Sequence, residues 1–241
     1  MYYPKFMFKK VILIVVLAVV SFQATAQELL EPSFGFSHKK VSYVTLLDGT
    51  TIEGEIRDID RKKGLIEYVK IKDADGKKHK LEAEEIQYMY LPPSGFDTFN
   101  KLGSKVYDAQ KWYDKNLNSE YIKEGYVYFE LADVQVKKKQ RKLLMQLLNP
   151  AYSQKVKIYH DPLAKKTMSI GMGNITLAGG IAKSYYISKA GAVAYRAKKK
   201  AYDEDYVSLW EGCETVDQAG EEKPVWRDLG KHALAFSDCQ E

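Results

Sequence analysis

His160 and Asp161 are the pair whose types best suit acid–base chemistry, an imidazole beside a carboxylate. General acid–base catalysis requires such groups within hydrogen-bond reach of the proton they move. Neighbours in an extended strand point to opposite faces, so adjacency in sequence works against a shared site. Pro162 follows at once, and a turn there would relax that objection. A surface or turn-capping role is therefore expected, and no residue is assigned a catalytic role. His38, His79 and His232 are scattered along the chain. The sequence holds neither a Gly-x-Ser-x-Gly elbow nor a His-Glu-x-x-His zinc helix. Acids at Glu84-Glu85 and Asp203-Glu204-Asp205 fall at expected helix starts, where carboxylates complement the backbone dipole.

Two loop motifs fail on spacing. Asp73-Ala74-Asp75-Gly76 has a calcium-loop beginning, but Lys77 stands where a fifth-position ligand belongs and Gly arrives early. Gly171-x-Gly173 and Gly179-Gly180 lack the Gly-Lys-Ser/Thr helix start that cradles phosphates. No metal and no cofactor is expected.

The densest cationic stretch is Lys137-Lys138-Lys139-Gln140-Arg141-Lys142. It reads as a solvated hairpin between Val136 and Leu143. The same five cations, Lys137, Lys138, Lys139, Arg141 and Lys142, are also the candidate binding residues for anionic glycan or lipid headgroups. Lys198-Lys199-Lys200 would extend that patch if the two carrier segments are neighbours.

The two cysteines, Cys213 and Cys239, predict one disulfide near the C-terminus. It would close a loop of about 25 residues, contributing about 3 kcal/mol by chain entropy. A redox role would favour a Cys-x-x-Cys pair, which does not occur.

The first 26 residues set the compartment. Lys5, Lys9 and Lys10 precede the apolar run Val11–Val20, and Ala24-Thr25-Ala26 supplies small residues for cleavage before Gln27. That is the pattern of a secretory signal peptide. The run is roughly half the length of a membrane-spanning helix. Its removal leaves 215 of 241 residues and a formal charge near +2 in place of +5. A polyanionic partner is therefore weakly favoured by charge, and nucleic acid is disfavoured by compartment. The 18 tyrosines suit half-buried sheet faces.

Residues 38–92 read as a meander of bent strands. Strand formers from Val41 to Leu47 lead into Asp48-Gly49, a hairpin signal. Ile52, Gly54 and Ile56 alternate with Glu53, Glu55 and Arg57, and Gly54 marks a close backbone approach. A polar turn is expected at Asp60–Gly64, strands at 65–72 and 78–82, a single helical turn at 83–85 and a last strand at Ile86–Leu91. Bent strands, Asp-Gly turns and a short turn before the last strand predict an SH3-like small barrel. The stretch Val44-Thr45-Leu46-Leu47-Asp48-Gly49-Thr50-Thr51-Ile52-Glu53-Gly54-Glu55-Ile56 resembles the opening of Sm-like proteins. The resemblance covers about 50 residues and implies that fold; the loop after Asp60 lacks the Asn on which Sm-like RNA binding depends, so RNA binding is not implied.

Pro92-Pro93-Ser94-Gly95 opens a linker over 93–119, with Phe99, Leu102, Val106, Ala109 and Tyr113 at helical spacing from about Thr98 to Asn116. Residues 120–241 predict a β-rich C-terminal domain. Its strands fall at Gly125–Val134, Lys139–Leu148, Lys155–His160, Thr167–Gly171, Ala182–Ser188 and Ala192–Lys198, and helices at Tyr202–Glu211 and Pro224–Phe236 close it. In the first strand Tyr126, Tyr128 and Glu130 face one way, Val127, Phe129 and Leu131 the other. The fold class is mainly β with α. The motifs Gln146-Leu147-Leu148-Asn149-Pro150, Ile158-Tyr159-His160-Asp161-Pro162, Ser184-Tyr185-Tyr186 and Trp210-Glu211-Gly212-Cys213 resemble a broad set of exported proteins of Bacteroidota-type bacteria. That resemblance implies export and no particular activity. The sequence reading is a periplasmic or secreted, non-enzymatic envelope protein that serves as an interaction module. Its expected partner is a cell-envelope protein or an anionic glycan or lipid surface. The alternative is an envelope hydrolase acting on glycan or peptide.

Overall fold

The structure, a computed structural model, describes residues 29–95, 114–165, 170–172, 175–178, 181–214, 216 and 224–239. The expected signal peptide lies outside them, as does the expected helix up to residue 113. Residues 115–116 form a turn, and the first helix among the described residues, α1, is Ser119–Lys123, capped by the Asn118 side chain.

Seven strands make one antiparallel sheet in the order β4-β3-β2-β1-β5-β6-β7. They are β1 Ser42–Leu46, β2 Thr51–Lys62, β3 Leu65–Asp73, β4 Lys78–Glu82, β5 Ile86–Leu91, β6 Val127–Val136 and β7 Lys139–Gln146. The 3-10 turn Ala83–Glu85 precedes β5, as its sequence predicts. The expected small barrel is not closed among the described residues. β6 pairs beyond β5 and continues the sheet, leaving β4 and β7 as edges. The polar turn expected at Asp60–Gly64 is another correction. β2 runs on to Lys62, because pairing with β3 outweighs the polar composition, and only Lys63-Gly64 turn. At Gly54 an added Cβ would run into the Lys72 carbonyl on β3, which is why the strand needs glycine there.

A second sheet has the order β12-β11-β8, from β8 Val156–His160, β11 Ser184–Lys189 and β12 Tyr195–Lys198. The strands expected at 167–171 and 182–188 do not pair with each other. β9 Ile170–Met172 and β10 Ile175–Ala178 form their own hairpin, and β11 lies between β8 and β12. Beyond its pairing with β5, the far half of β6 is flanked by the chain entering β12. There the Gln135 amide donates to Ala194 O at 2.7 Å, and the Ala194 amide donates to Asp133 O at 2.8 Å. The two segments run parallel at that point.

Strand alternation sorts side chains into three apolar layers. Val44, Ile56, Met89, Leu91, Val127 and Phe129 fill the concave face of the large sheet. Tyr90, Tyr128 and Val134 on its other face meet Tyr159 and Tyr186 of the second sheet. On the far side of that sheet, Ile158 and Ile187 pack against α2, Tyr202–Trp210, and α3, Leu229–Asp238. Cys213 and Cys239 form a disulfide that ties the ends of these two helices together. Among the described residues no helix is long and apolar enough to cross a membrane.

The helical layer contains a histidine with a testable consequence. His232 on α3 lies 2.6 Å from the Tyr202 hydroxyl and edge-on to Tyr206. Burial holds its imidazole below the ordinary value of 6.5; Asp228 opposes the shift and Lys231 adds to it. Below about pH 6.5 the unfolded chain therefore binds a proton there that the folded chain refuses. The stability this group contributes is complete above that pH and is lost as pH falls toward the folded value. Urea midpoints at pH 7, 6 and 5 should decline in the wild type, and His232→Gln should flatten that decline. An unchanged slope in the variant would refute the assignment.

Candidate functional site

The structure separates His160 from Asp161 in role. Asp161 is buried at the end of β8 and is a hub of donors. Its carboxylate accepts from Ser184 Oγ at 2.6 Å, Arg196 Nε at 2.5 Å and the Leu163 amide at 2.9 Å. Arg196 Nη2 also donates to Ser184 Oγ at 3.2 Å. These bonds fasten the β8 turn to β11 and β12. Three of its roughly four acceptor positions are thereby committed to structure.

The basic run lies where the sequence predicts, on the β6–β7 hairpin. Lys137 and Lys138 form its two-residue turn, and Lys139, Arg141 and Lys142 lie on β7. Lys137 adopts a φ of 56°, the left-handed region that non-glycine residues enter at some cost. All five side chains are exposed. Lys198 pairs with Ser184 in the second sheet, and Lys199 and Lys200 follow it in a 3-10 turn, so the second basic run belongs to that sheet and not to the hairpin. None of the eight cations forms an ion pair among the described residues.

The tyrosines mostly pack. Tyr43 stacks on Tyr121 with centroids 4.4 Å apart, and Tyr90 and Tyr128 lie beneath them. Glu130 anchors the layer between the sheets, accepting from Tyr159 Oη at 2.7 Å and Lys157 Nζ at 2.8 Å. Burial pushes the Tyr90 phenol up to about 12, and Tyr128 and Tyr159 are held above the ordinary phenol range. All three stay protonated; Tyr128 and Tyr159 donate to Glu130, and Tyr90 accepts from the Asn118 amide.

A cavity of about 30 Å³ opens at the rim of the large sheet. Four parts of the chain meet there: the segment Ser33–Phe34, the β2–β3 hairpin with its turn, the paired β6 and β7 near Phe129 and Gln146, and the end of β8. Gly64 in that turn has a φ of +81°, and a Cβ on it would lie 2.7 Å from Pro162 Cβ, so the turn and the β8 end are in close contact. Ser33 is held by its backbone, which pairs in both directions with the Gln146 amide at 3.1 and 3.2 Å. Its hydroxyl is buried and has no hydrogen-bond partner among the described residues. Arg61 lines the same cavity, half-buried, with its guanidinium 5.9 Å from the Phe36 ring centre. Among the described residues it has no acidic partner, and burial lowers its affinity for its proton. His160 completes the wall, its ring edge-on to Phe34 at 5.3 Å. Phe34 is 54% exposed there, and Leu163, which follows the lining Pro162 in the chain, is 56% exposed.

Sequence reasoning singled out His160 here and passed over Arg61, Ser33 and Phe34. Arg61 reads as part of a polar turn until β2 is seen to continue past it. The lone serine and phenylalanine of Ser33-Phe34 carry no motif. A second, wider cavity of about 490 Å³ lies beside the disulfide, lined by Lys155, Lys189 and Phe236. Both lysines are engaged there, Lys155 with the Cys239 carbonyl and Lys189 over the Phe236 ring at 4.7 Å.

No protein-family model, no curated protein and no solved structure matches this chain.

Proposed function

We propose that this chain is an exported, non-enzymatic interaction module of the cell envelope that binds a protein partner at the rim of its large sheet. The unit β1–β5 is read as an SH3-like strand arrangement that β6 and β7 hold open. Its strand order, its Asp48-Gly49 turn and the 3-10 turn before β5 support that reading. The observation that carries the function is the exposed ring of Phe34 set edge-on to His160, with a second exposed apolar side chain, Leu163, three residues along the chain from that histidine. Exposed apolar clusters of this kind mark binding surfaces. The disulfide is compatible with an oxidising compartment. The hydrolase alternative is less well supported, since Asp161 is spent on Arg196 and Ser184.

The test is capture of partners by the tagged mature chain from its own envelope, at low and high salt, beside the variant Phe34→Ser/Leu163→Ser. A protein recovered at both salts by the wild type and lost by the variant is the expected result. Capture that is unchanged by the variant would refute the rim as the binding surface. The five exposed cations of the β6–β7 hairpin, which form no ion pair among the described residues, favour a second reading, contact with anionic glycan or lipid. Binding of that kind weakens steeply as salt rises, and the low-salt arm with anionic vesicles reads it directly.

A further inference from the structure

We infer that the rim cavity is a carboxylate-recognition site, which takes the C-terminal carboxylate of a partner chain that ends in an apolar residue. The inference rests on the interaction-module reading and assigns the chemistry of its anchor. Two independent observations point to it. Arg61 is a half-buried guanidinium with no acidic partner among the described residues. Ser33, in the same wall, is 2% exposed and its hydroxyl is unpartnered. A buried hydroxyl without a partner and a desolvated cation without a counter-ion are each costly in isolation. One carboxylate relieves both, because it accepts from the planar guanidinium fork and from a hydroxyl at once.

Size and surroundings narrow the ligand. A cavity of about 30 Å³ holds a group no larger than a carboxylate. Phe34 lines it and is exposed, and Leu163, the residue after the lining Pro162, is exposed as well. The ligand must therefore offer a carboxylate and an apolar side chain close together. A C-terminal apolar residue carries both on a single Cα, whereas an Asp or Glu side chain must borrow its apolar contact from a neighbour.

The test is an NMR titration of the mature chain with N-acetyl-leucine, N-acetyl-leucinamide and N-acetyl-glutamate α-amide. The expected result is that N-acetyl-leucine shifts the Ser33 and Gly64 amides and the Arg61 Nε–H, while the other two probes bind at least about fivefold more weakly. Arg61→Gln should weaken N-acetyl-leucine about tenfold or more, as expected for loss of a charge-assisted bond. Ser33→Ala should weaken it about threefold. Its urea midpoint should not fall, because the lost hydroxyl satisfied nothing in the folded chain. Equal binding of leucinamide would overturn charge recognition, and equal binding of the glutamate probe would overturn the terminal source. Unchanged affinity in Arg61→Gln, or no shifts with any probe, would overturn the site. If the probes fail while Phe34→Ser/Leu163→Ser still abolishes partner capture, the inference is wrong and the interaction-module reading stands.

Discussion

Asp161→Ala is expected to destabilise the fold by about 3 kcal/mol. Removing one partner of a buried ion pair typically costs about 3–5 kcal/mol, because the other charge is left without compensation. The lower end applies here. Arg196 keeps 35% of its side chain in water and rehydrates once released, while Asp161 is 1% exposed. The loss also strands the Ser184 hydroxyl and the Leu163 amide, which now have Asp161 as acceptor. Asp161→Asn keeps one acceptor oxygen, enough for the Leu163 amide, but sets its NH2 against Arg196 Nε and makes the Ser184 hydroxyl turn to accept, so an effect close to that of alanine is expected. Urea denaturation reads both variants, with the shift in midpoint at constant slope taken as the stability change. A surface role for Asp161 would leave both midpoints where they are. The same pair of variants tests the rejection of a His160–Asp161 catalytic pair, because a structural carboxylate is sensitive in stability.

Cys213→Ala/Cys239→Ala is expected to cost about 3 kcal/mol as well, for a different reason. The bridge joins residues 26 apart, and cross-linking a loop of that length removes about 3 kcal/mol of disorder from the unfolded chain. For a chain of this size that corresponds to a drop in Tm of about 6–12 °C. Cys213 is buried in the helical layer with Trp210 and Leu229, so alanine adds a small packing loss. Calorimetry of the wild type, the double variant and the reduced wild type separates the two contributions. Reduction alone should reproduce most of the drop. A Tm that does not move on reduction would mean that α2 and α3 are held by their apolar contacts and that the bridge is redundant.

Local pattern carried much of the architecture. The strict alternation in β6 put Val127 and Phe129 into the concave core and Tyr128 into the layer behind it, since a pleated strand has only two faces. Asp48-Gly49, Asp75-Gly76 and the turn before β5 were equally legible, because a turn's backbone angles are met by few residue types. The disulfide followed from there being only two cysteines. The length of β2 was not legible. Asp60, Arg61 and Lys62 are polar, and only pairing with Tyr68, Ile66 and Leu65 on β3 makes them strand.

The sequence by itself therefore determined strands, turns, the cysteine pair and the position of the basic hairpin, all of which depend on neighbours a few residues apart. Tertiary structure alone decided three things. It set the joining of β6 to β5, which keeps the large sheet open. It committed Asp161 to Arg196, 35 residues away. It also brought Ser33, Arg61 and His160 to one rim. Each of these turns on contacts between distant segments, whose partners are fixed only when the apolar layers close and the backbone of one segment finds the free edge of another.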